Sequence, residues 1–257
     1  MPKLFIAGNW KMNLDAQQSR DLAADLAAKL AGTDLAERID IAVCPPFVYL
    51  DRVGQALGQS GVALGAQDVY FEPNGAFTGE ISVEMIEDIG CSYVIVGHSE
   101  RRHVLGESDE LVNRKARAAL DGGLELILCI GELLQERERN ETKGVIERHV
   151  RTGLQGVSVE QMARVTIAYE PVWAIGTGKT ATPDQAQEAH AYTRSILADM
   201  FGNKIAQRTR IQYGGSVKPD NAADLLGRND VDGALVGGAS LKLDSFFGII
   251  AAGAKVK

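Results

Sequence analysis

Four side chains from three distant segments could together move a proton between carbon atoms. They are the carboxylate of Glu170, the imidazole of His98, the ammonium group of Lys11 and the amide of Asn9. A carboxylate and an imidazole can remove and return protons, while an ammonium group and an amide stabilise negative charge that develops on oxygen. The set therefore suits removal of a proton from a carbon beside a carbonyl group.

Each of these residues alone also has an ordinary structural explanation. Glu170 could be a surface carboxylate or half of an ion pair, and His98 could be a core histidine whose hydrogen bonds are satisfied by its neighbours. Lys11 could be a solvated amine, and Asn9 could form a turn. The catalytic interpretation therefore depends on a fold that places all four on one rim.

The chain alternates between short apolar runs and helical patterns eight times, without a composition break that would mark a linker. Such alternation predicts an α/β fold in which helices connect parallel strands. The predicted strands are residues 4–7, 39–44, 62–66, 93–96, 124–129, 165–169, 210–213 and 232–236. The predicted helices are residues 15–30, 47–57, 82–89, 108–120, a charged region from 131 to about 153, 183–201, 221–226 and 245–252.

Two architectures fit this alternation, an open doubly wound sheet and a closed eight-stranded parallel (β/α)8 barrel. About 250 residues is typical of the barrel. Polar residues also follow strands one, four, six, seven and eight, and only a closed barrel would gather all of these strand ends on one face. We therefore expect a single barrel domain over residues 1–257.

Composition limits the classes of partner. A net charge of -7 with 45% hydrophobic residues is ordinary for a globular protein and argues against a surface that coats nucleic acid or an anionic membrane. The longest apolar stretch, residues 246–254, is far below the roughly 18 residues of a transmembrane span. The first residues lack the apolar segment and cleavage site of a signal peptide. We expect a cytoplasmic protein with no nucleic-acid or membrane partner.

The three cysteines, Cys44, Cys91 and Cys129, lie in or beside apolar segments and form no CxxC pair. Buried, reduced thiols are the expected state. With four scattered histidines they give no metal-ligand spacing, so we expect neither a metal nor a cofactor.

The segment 165–185, VTIAYEPVWAIGTGKTATPDQ, places Glu170 at the end of a strand that Pro171 stops. The apolar, glycine-containing residues that follow predict a loop that closes over this carboxylate. Thr182 and Gln185 form a capping-box pattern for the next helix.

The same segment resembles two nucleotide-binding motifs only superficially. GTGKT ends like a Walker A loop, but the required first glycine falls at Trp173. A dinucleotide motif is equally disfavoured, because Gly176 lies several residues beyond the strand and the helix begins only after Thr182.

Paired glycines follow strands seven and eight in YGGS, residues 213–216, and VGGAS, residues 236–240. Either pair alone could serve only to make a tight turn. Together with Gly176 they favour a cradle of backbone N–H groups for an oxyanion or a phosphate, at the usual phosphate site of a barrel.

Five motifs resemble the triosephosphate isomerase family, in the family order and across the chain. They are NWKMN at residues 9–13, VGHSERR at 96–102, YEPVWAIGTGK at 169–179, YGGSV at 213–217 and LVGGASL at 235–241. The resemblance implies a cofactor-free isomerase that interconverts dihydroxyacetone phosphate and D-glyceraldehyde 3-phosphate through an enediolate.

The resemblance also implies residue roles. Glu170 would shuttle the proton between C1 and C2, and neutral His98 would polarise the carbonyl group. Lys11 would offset negative charge, Asn9 would donate to an oxygen, and Glu100 would pair with the lysine. The implied phosphate cradle is Gly176, Ser216, Gly237 and Gly238. The implied lid and latch residues are Pro171, Trp173, Ile175, Lys179, Ala181, Tyr213 and Leu235, in which Tyr213 pairs with Ala181, and Ile175 with Leu235.

Three further features bear on assembly and packing. The loop 71–80, with Thr78 near its tip, resembles the family loop that reaches into a neighbouring subunit, and so implies a homodimer. A loop packed on its own chain is the alternative.

Leu133 stands where many relatives carry threonine, and Gln212 stands where an aliphatic residue is commoner. Neither departure touches an implied catalytic role.

Two other functions remain to be weighed. A catalytically silent phosphate-binding or scaffold barrel would require a broken catalytic set, whereas the set here is complete. An aldolase would need a metal site or a lysine placed for Schiff-base formation, and Lys11 is the only rim lysine that the sequence offers.

Overall fold

Eight parallel strands form a closed barrel in the computed structural model, which describes residues 2–175 and 180–256. The strands are β1 Phe5–Asn9, β2 Asp40–Cys44, β3 Val62–Ala66, β4 Tyr93–Val96, β5 Glu125–Ile130, β6 Val165–Tyr169, β7 Arg210–Tyr213 and β8 Gly233–Val236. β1 pairs in parallel with both β2 and β8, which closes the sheet. The predicted barrel is confirmed, and the open sheet is wrong.

Helices cover the outside of the barrel. Within the described ranges they are α1 Ala16–Leu30, α2 Leu35–Arg38, α3 Leu50–Leu57, α4 Val83–Asp88, α5 Ser99–His103, α6 Asp109–Asp121, α7 Leu134–Glu138, α8 Thr142–Gly153, α9 Pro183–Phe201, α10 Asn203–Ala206, α11 Ala222–Leu226 and α12 Leu243–Val256. None of these described helices combines the length and apolar character needed to cross a membrane.

The charged region predicted from residue 131 to about 153 is divided into α7 and α8. Asn140 lies between them with a φ of 59°, a left-handed conformation that interrupts a right-handed helix. The short helices α2, α5 and α10 were also not predicted. Of these, α5 is the one that matters for the site.

Two layers of apolar side chains fill the protein. Inside the barrel, one aromatic side chain and several small or branched ones from alternate strand positions pack together: Phe5, Ala7, Ala42, Cys44, Ile95, Ile127, Cys129, Ala168 and Leu235. A larger cluster lies between the strands and the helices. All three cysteines are buried and free, as predicted.

The segment after the proposed lid is fixed by the predicted capping box. Thr182 Oγ1 accepts from the Gln185 N–H at 3.2 Å, and Gln185 Oε1 accepts from the Thr182 N–H at 2.9 Å. Pro183 occupies the first turn of α9. These bonds satisfy N–H groups that a helix start leaves unpaired, and so they set where the chain rejoins the barrel.

Candidate active site

A cleft of about 370 Å³ lies at the C-terminal ends of the barrel strands. Asn9 is the last residue of β1, His98 follows β4 by two residues, and Glu170 follows β6 directly. The barrel thus brings together residues from nearly the whole length of the chain. The predicted site residues that line the cleft are Asn9, Lys11, His98, Glu100, Glu170, Ile175, Ser216, Leu235, Gly237 and Gly238.

Both carboxylate oxygens of Glu170 are engaged. Oε1 lies 2.8 Å from His98 Nε2, and Oε2 accepts from the Ser99 N–H at 2.9 Å. Glu170 is only 2% exposed and His98 5% exposed. The pair is therefore shielded from water and held in one geometry.

The hydrogen bonds of His98 assign its neutral form. Nδ1 accepts from the Glu100 N–H at 3.2 Å, so that nitrogen carries no proton. Nε2 then carries the ring proton and donates it to Glu170. His98 is the N-cap residue of α5, where the helix end disfavours a positive charge. A neutral imidazole that donates through Nε2 can polarise a carbonyl oxygen.

Burial and charge oppose each other within this pair. Burial favours the neutral form of His98, but the Glu170 carboxylate outweighs it and raises the pKa of His98. For Glu170, burial raises the pKa, but its interaction with His98, followed by the hydrogen bond from the Ser99 N–H, lowers it below its ordinary value. The carboxylate is thus ionised and ready to accept a proton.

Lys11 presents its ammonium group beside Glu100, with Nζ 2.6 Å from Oε1. Its backbone has a φ of 53°, an uncommon conformation for a residue with a side chain. The Lys11 N–H donates to Asn9 Oδ1 at 3.0 Å. This bond supports the turn and leaves the NH2 group of Asn9 as its donor.

The glycines after β8 and Ser216 after β7 also line the cleft. Gly237 precedes a 3-10 helix at Gly238–Leu241, and the Ser240 N–H donates to the Gly237 carbonyl at 2.8 Å. A side chain added at Gly237 would place its Cβ 3.5 Å from Lys11 Cε. The small size of these glycines therefore keeps backbone N–H groups accessible beside the ammonium group. Gly176, the remaining predicted cradle residue, lies outside the described residues.

The first residues of the predicted lid are attached to the barrel through Glu132. Trp173 Nε1 donates to Glu132 Oε1 at 2.9 Å, and the Tyr169 hydroxyl donates to Oε2 at 3.0 Å. Arg137 pairs with the same carboxylate at 3.1 Å. Pro171 precedes the 3-10 turn Val172–Ala174 that carries Trp173.

Glu132 had no predicted role in the site. A signal for it was nevertheless present in the sequence, because the buried polar tips of Tyr169 and Trp173 both need a partner.

The predicted latch residues, Tyr213 and Ala181, are both buried. Tyr213 lies in β7, and its buried hydroxyl lies near the Ala181 backbone. Burial raises the pKa of Tyr213 to about 12, and the Ala181 backbone opposes this rise. Ala181 itself is 6% exposed. Lys179 lies outside the described residues, and Thr78 lies on an exposed loop away from the cleft.

Gly131 supports Glu170 from behind. Its φ is 152°, and a Cβ at this position would lie 1.8 Å from the Glu170 carbonyl oxygen. No residue with a side chain could occupy it without moving the proposed base. This contact was not predicted, because it depends on β5 and β6 being neighbours.

No group of three histidine, cysteine, aspartate or glutamate side chains within residues 2–175 and 180–256 could hold a metal ion.

Comparisons with known proteins agree with this geometry. The family model for triosephosphate isomerase matches residues 4–253. The triosephosphate isomerase of Carboxydothermus hydrogenoformans is 55% identical over 250 residues, which cover 97% of this chain and 98% of that relative. Those of Chloroherpeton thalassium and Rhodopirellula baltica are 51% and 49% identical over 97% of this chain and 98% and 97% of the relatives. The chain belongs to the triosephosphate isomerase family.

Proposed function

We propose that this chain interconverts dihydroxyacetone phosphate and D-glyceraldehyde 3-phosphate, with Glu170 as the general base. The observation that carries the proposal is the buried Glu170 carboxylate 2.8 Å from Nε2 of His98, in a cleft that also holds Lys11 and the glycine turns. A silent phosphate-binding barrel is not favoured, because family membership accompanies a complete set of reactive groups.

The reaction follows from the roles of these groups. Glu170 takes a proton from the carbon beside the carbonyl group, and the electron pair of the broken C–H bond moves to the carbonyl oxygen. His98, Asn9 and Lys11 stabilise the resulting enediolate. Glu170 then returns its proton to the neighbouring carbon while the carbonyl group forms at the other position, so the reaction consumes no oxidant or reductant.

The phosphate group binds at Ser216, Gly237 and Gly238, the members of the predicted cradle that lie within the described residues. Backbone N–H groups hold the dianion without occupying the ammonium group of Lys11, which remains available to the enediolate. Ile175 and Leu235, which line the cleft beside Glu170, exclude water from the base.

Substitution of Glu170 tests the assignment. E170Q should lower kcat at least about a thousandfold, because an amide cannot accept the proton. E170D should also lower kcat, because the shorter side chain withdraws the carboxylate. Inorganic phosphate should still bind both variants. The assay uses both triose phosphates with a chelator and no added cofactor, and E37Q, an exposed carboxylate substitution in α2 just before the start of β2, is the control. Near-normal turnover by E170Q would refute the proposal.

We also propose a homodimer. Large apolar side chains are exposed on the rim loops, including Met12 at 94%, Val104 at 78%, Leu105 at 64% and Phe77 at 39%. A second copy that covers them would bury the apolar area, and Thr78 would approach residues 9–13 of that copy.

Sedimentation of T78R tests this assembly. The variant should shift mass from dimer to monomer, because a long cation would enter the interface, whereas Q59R, at an exposed position just after α3, should not. A wild-type chain that sediments as a monomer at micromolar concentration would refute the homodimer.

Two coarser expectations accompany this proposal. The chain acts as one catalytic domain, a reading supported by the pairing of β1 with β8 near its two ends. It works in the cytoplasm, a reading supported by three free cysteines, which suit a reducing compartment. Limited proteolysis tests the first expectation and cell fractionation tests the second.

A further inference from the structure

A second cleft of about 510 Å³ adjoins the active-site cleft on its phosphate side. The two clefts share Lys218, Gly238 and Ala239. Lys242 and Ser245 line only the outer cleft. An anion that crosses the outer cleft therefore arrives directly at the glycines proposed to bind phosphate.

Two lysines of this outer cleft have no acidic partner among the described residues. Lys218 and Lys242 are both exposed, and neither forms an ion pair within 4 Å with any described residue. Their backbones are nevertheless fixed: the Lys218 N–H donates to Asn221 Oδ1 at 2.8 Å, and the Lys242 carbonyl accepts from the Phe246 N–H at 2.9 Å. The backbones are thus fixed beside the cleft, and the ammonium groups have no carboxylate partner among the described residues.

The other lysines provide a contrast. Lys3, Lys11, Lys29, Lys115 and Lys143 all have an acidic partner. Only Lys204 and Lys255 share the unpaired state within the described part of the chain, and neither lines the two clefts. Both lie near the opposite end of the barrel, since α10 leads into the start of β7 and Lys255 lies at the end of α12.

We propose that Lys218 and Lys242 form an outer anion site that captures the phosphate monoester dianion before it enters the inner cradle. The chain carries a net charge of -7, which repels such a ligand at long range. Two cations at the entrance reverse this repulsion locally, although Asp220 on the same wall reduces their effect. This inference rests on the proposed function for its substrate but concerns capture rather than chemistry.

The test compares K218Q/K242Q with K204Q/K255Q, which makes the same charge change at the far end. At about 10 mM ionic strength the first variant should lower kcat/KM about three- to tenfold and leave kcat within about twofold. At about 0.3 M ionic strength the kcat/KM of K218Q/K242Q should lie less than about twofold below that of the wild type, because salt screens exposed charges. The control should change kcat/KM by less than about 1.5-fold in either condition.

Titration with inorganic phosphate gives a readout independent of turnover. K218Q/K242Q should weaken phosphate binding about two- to fivefold at low salt, and the control should not. If the wild-type chain showed no turnover, the proposed function would fail while this titration still decided the inference. Either of two results would overturn the proposed outer anion site. One is that the wild type and K218Q/K242Q have equal kcat/KM and equal phosphate affinity. The other is that the control K204Q/K255Q loses as much as K218Q/K242Q.

Discussion

The carboxylate of Glu170 is buried, yet the net effect of its partners holds its pKa below the ordinary value. His98 and the Ser99 N–H occupy both of its oxygens and cause this lowering. A substrate that displaces these donors would leave burial as the main influence, and burial raises the pKa of a carboxyl group. Substrate binding would thereby convert a weak base into a stronger one.

His149 supplies a pH-dependent contribution to stability. Its Nδ1 accepts from the Gly131 N–H at 3.3 Å, and burial, followed by the charge of Arg102, lowers the pKa of His149 to about 3. Between about pH 3 and pH 6.5 the unfolded chain therefore binds a proton that the folded chain excludes. Stability from this residue rises with pH through that window and is complete above it.

We expect H149N to remove this dependence, while the amide oxygen of the substituted side chain still offers an acceptor to the Gly131 N–H. Urea unfolding at pH 7.5 and pH 5 should show a smaller acid loss of stability in H149N than in the wild type, by up to about 2 kcal/mol. The comparison between chains is needed because burial raises the pKa of Asp68 to about 6, which acts in the opposite direction. Parallel pH profiles for the wild type and H149N would contradict the expectation.

Gln212 is a polar residue in the barrel interior, where the resemblance predicts an aliphatic one. Its Nε2 donates to the Phe5 carbonyl at 3.0 Å, but Oε1 is buried without a partner among the described residues. Because an unpaired buried oxygen is costly, we expect Q212M to be as stable as the wild type or up to about 1 kcal/mol more stable. Q212E, which buries a charge, should lose at least about 3 kcal/mol. Urea unfolding measures both, and a loss above about 2 kcal/mol in Q212M would refute this account.

At the scale of elements, the short helix α5 positions the reactive pair. Its N-cap is His98 and its first N–H binds Glu170. Arg101 anchors the helix through Glu107 at 2.7 Å and Asp68 at 2.9 Å. Lys115 from α6 joins the same buried cluster, 2.7 Å from Asp68. The turn that carries His98 and Ser99 is therefore tied to neighbouring elements by ion pairs whose acidic members are buried.

Helix α7 has half of a capping box. Glu136 Oε2 accepts from the Leu133 N–H at 2.8 Å, but leucine offers no oxygen to the Glu136 N–H in return. L133T should supply that acceptor and raise the free energy of unfolding by about 0.5 to 1 kcal/mol relative to L133V, which has the same shape without the hydroxyl. Thermal or urea unfolding of the two variants measures the difference. Equal stabilities would show that the missing cap is unimportant.

Strand positions could be predicted from the sequence because apolar runs end abruptly at polar residues or glycine. β3, β4, β6 and β7 begin and end at the predicted residues. Helix α5 could not be predicted in this way, since SERRH is too short and too charged to show an apolar period. The break at Asn140 was equally hidden, because the residues on both sides are helix-compatible.

Residues of the candidate site could be predicted from the sequence where the side chain itself can transfer a proton or stabilise charge. Asn9, Lys11, His98 and Glu170 were identified as separate polar groups, and the barrel placed them along one cleft. Glu132 and Gly131 were not identified, because their roles depend on contacts with Tyr169, Trp173 and Glu170 across strands. Contacts of this kind between neighbouring strands can be identified only in the folded chain.

At the scale of the whole molecule, closure of the sheet is what assembles the chemistry. β1, β4, β6 and β8 are distant in sequence, yet parallel pairing around the barrel directs their C-terminal ends to one face. The helices that return each strand occupy the outside, so the rim remains open to a ligand. With a net charge of -7 the overall field repels a phosphate ester, so the proposed capture depends on local cations.

The central claim is that a proton moves through Glu170, and isomerisation in D2O tests it most directly. A proton held by a carboxylate can exchange with solvent, whereas a direct hydride shift between carbons cannot. We predict that the wild-type chain forms D-glyceraldehyde 3-phosphate with deuterium at C2, and that E170Q forms almost no product under the same conditions. Normal product formation without deuterium, or undiminished incorporation by E170Q, would contradict the account.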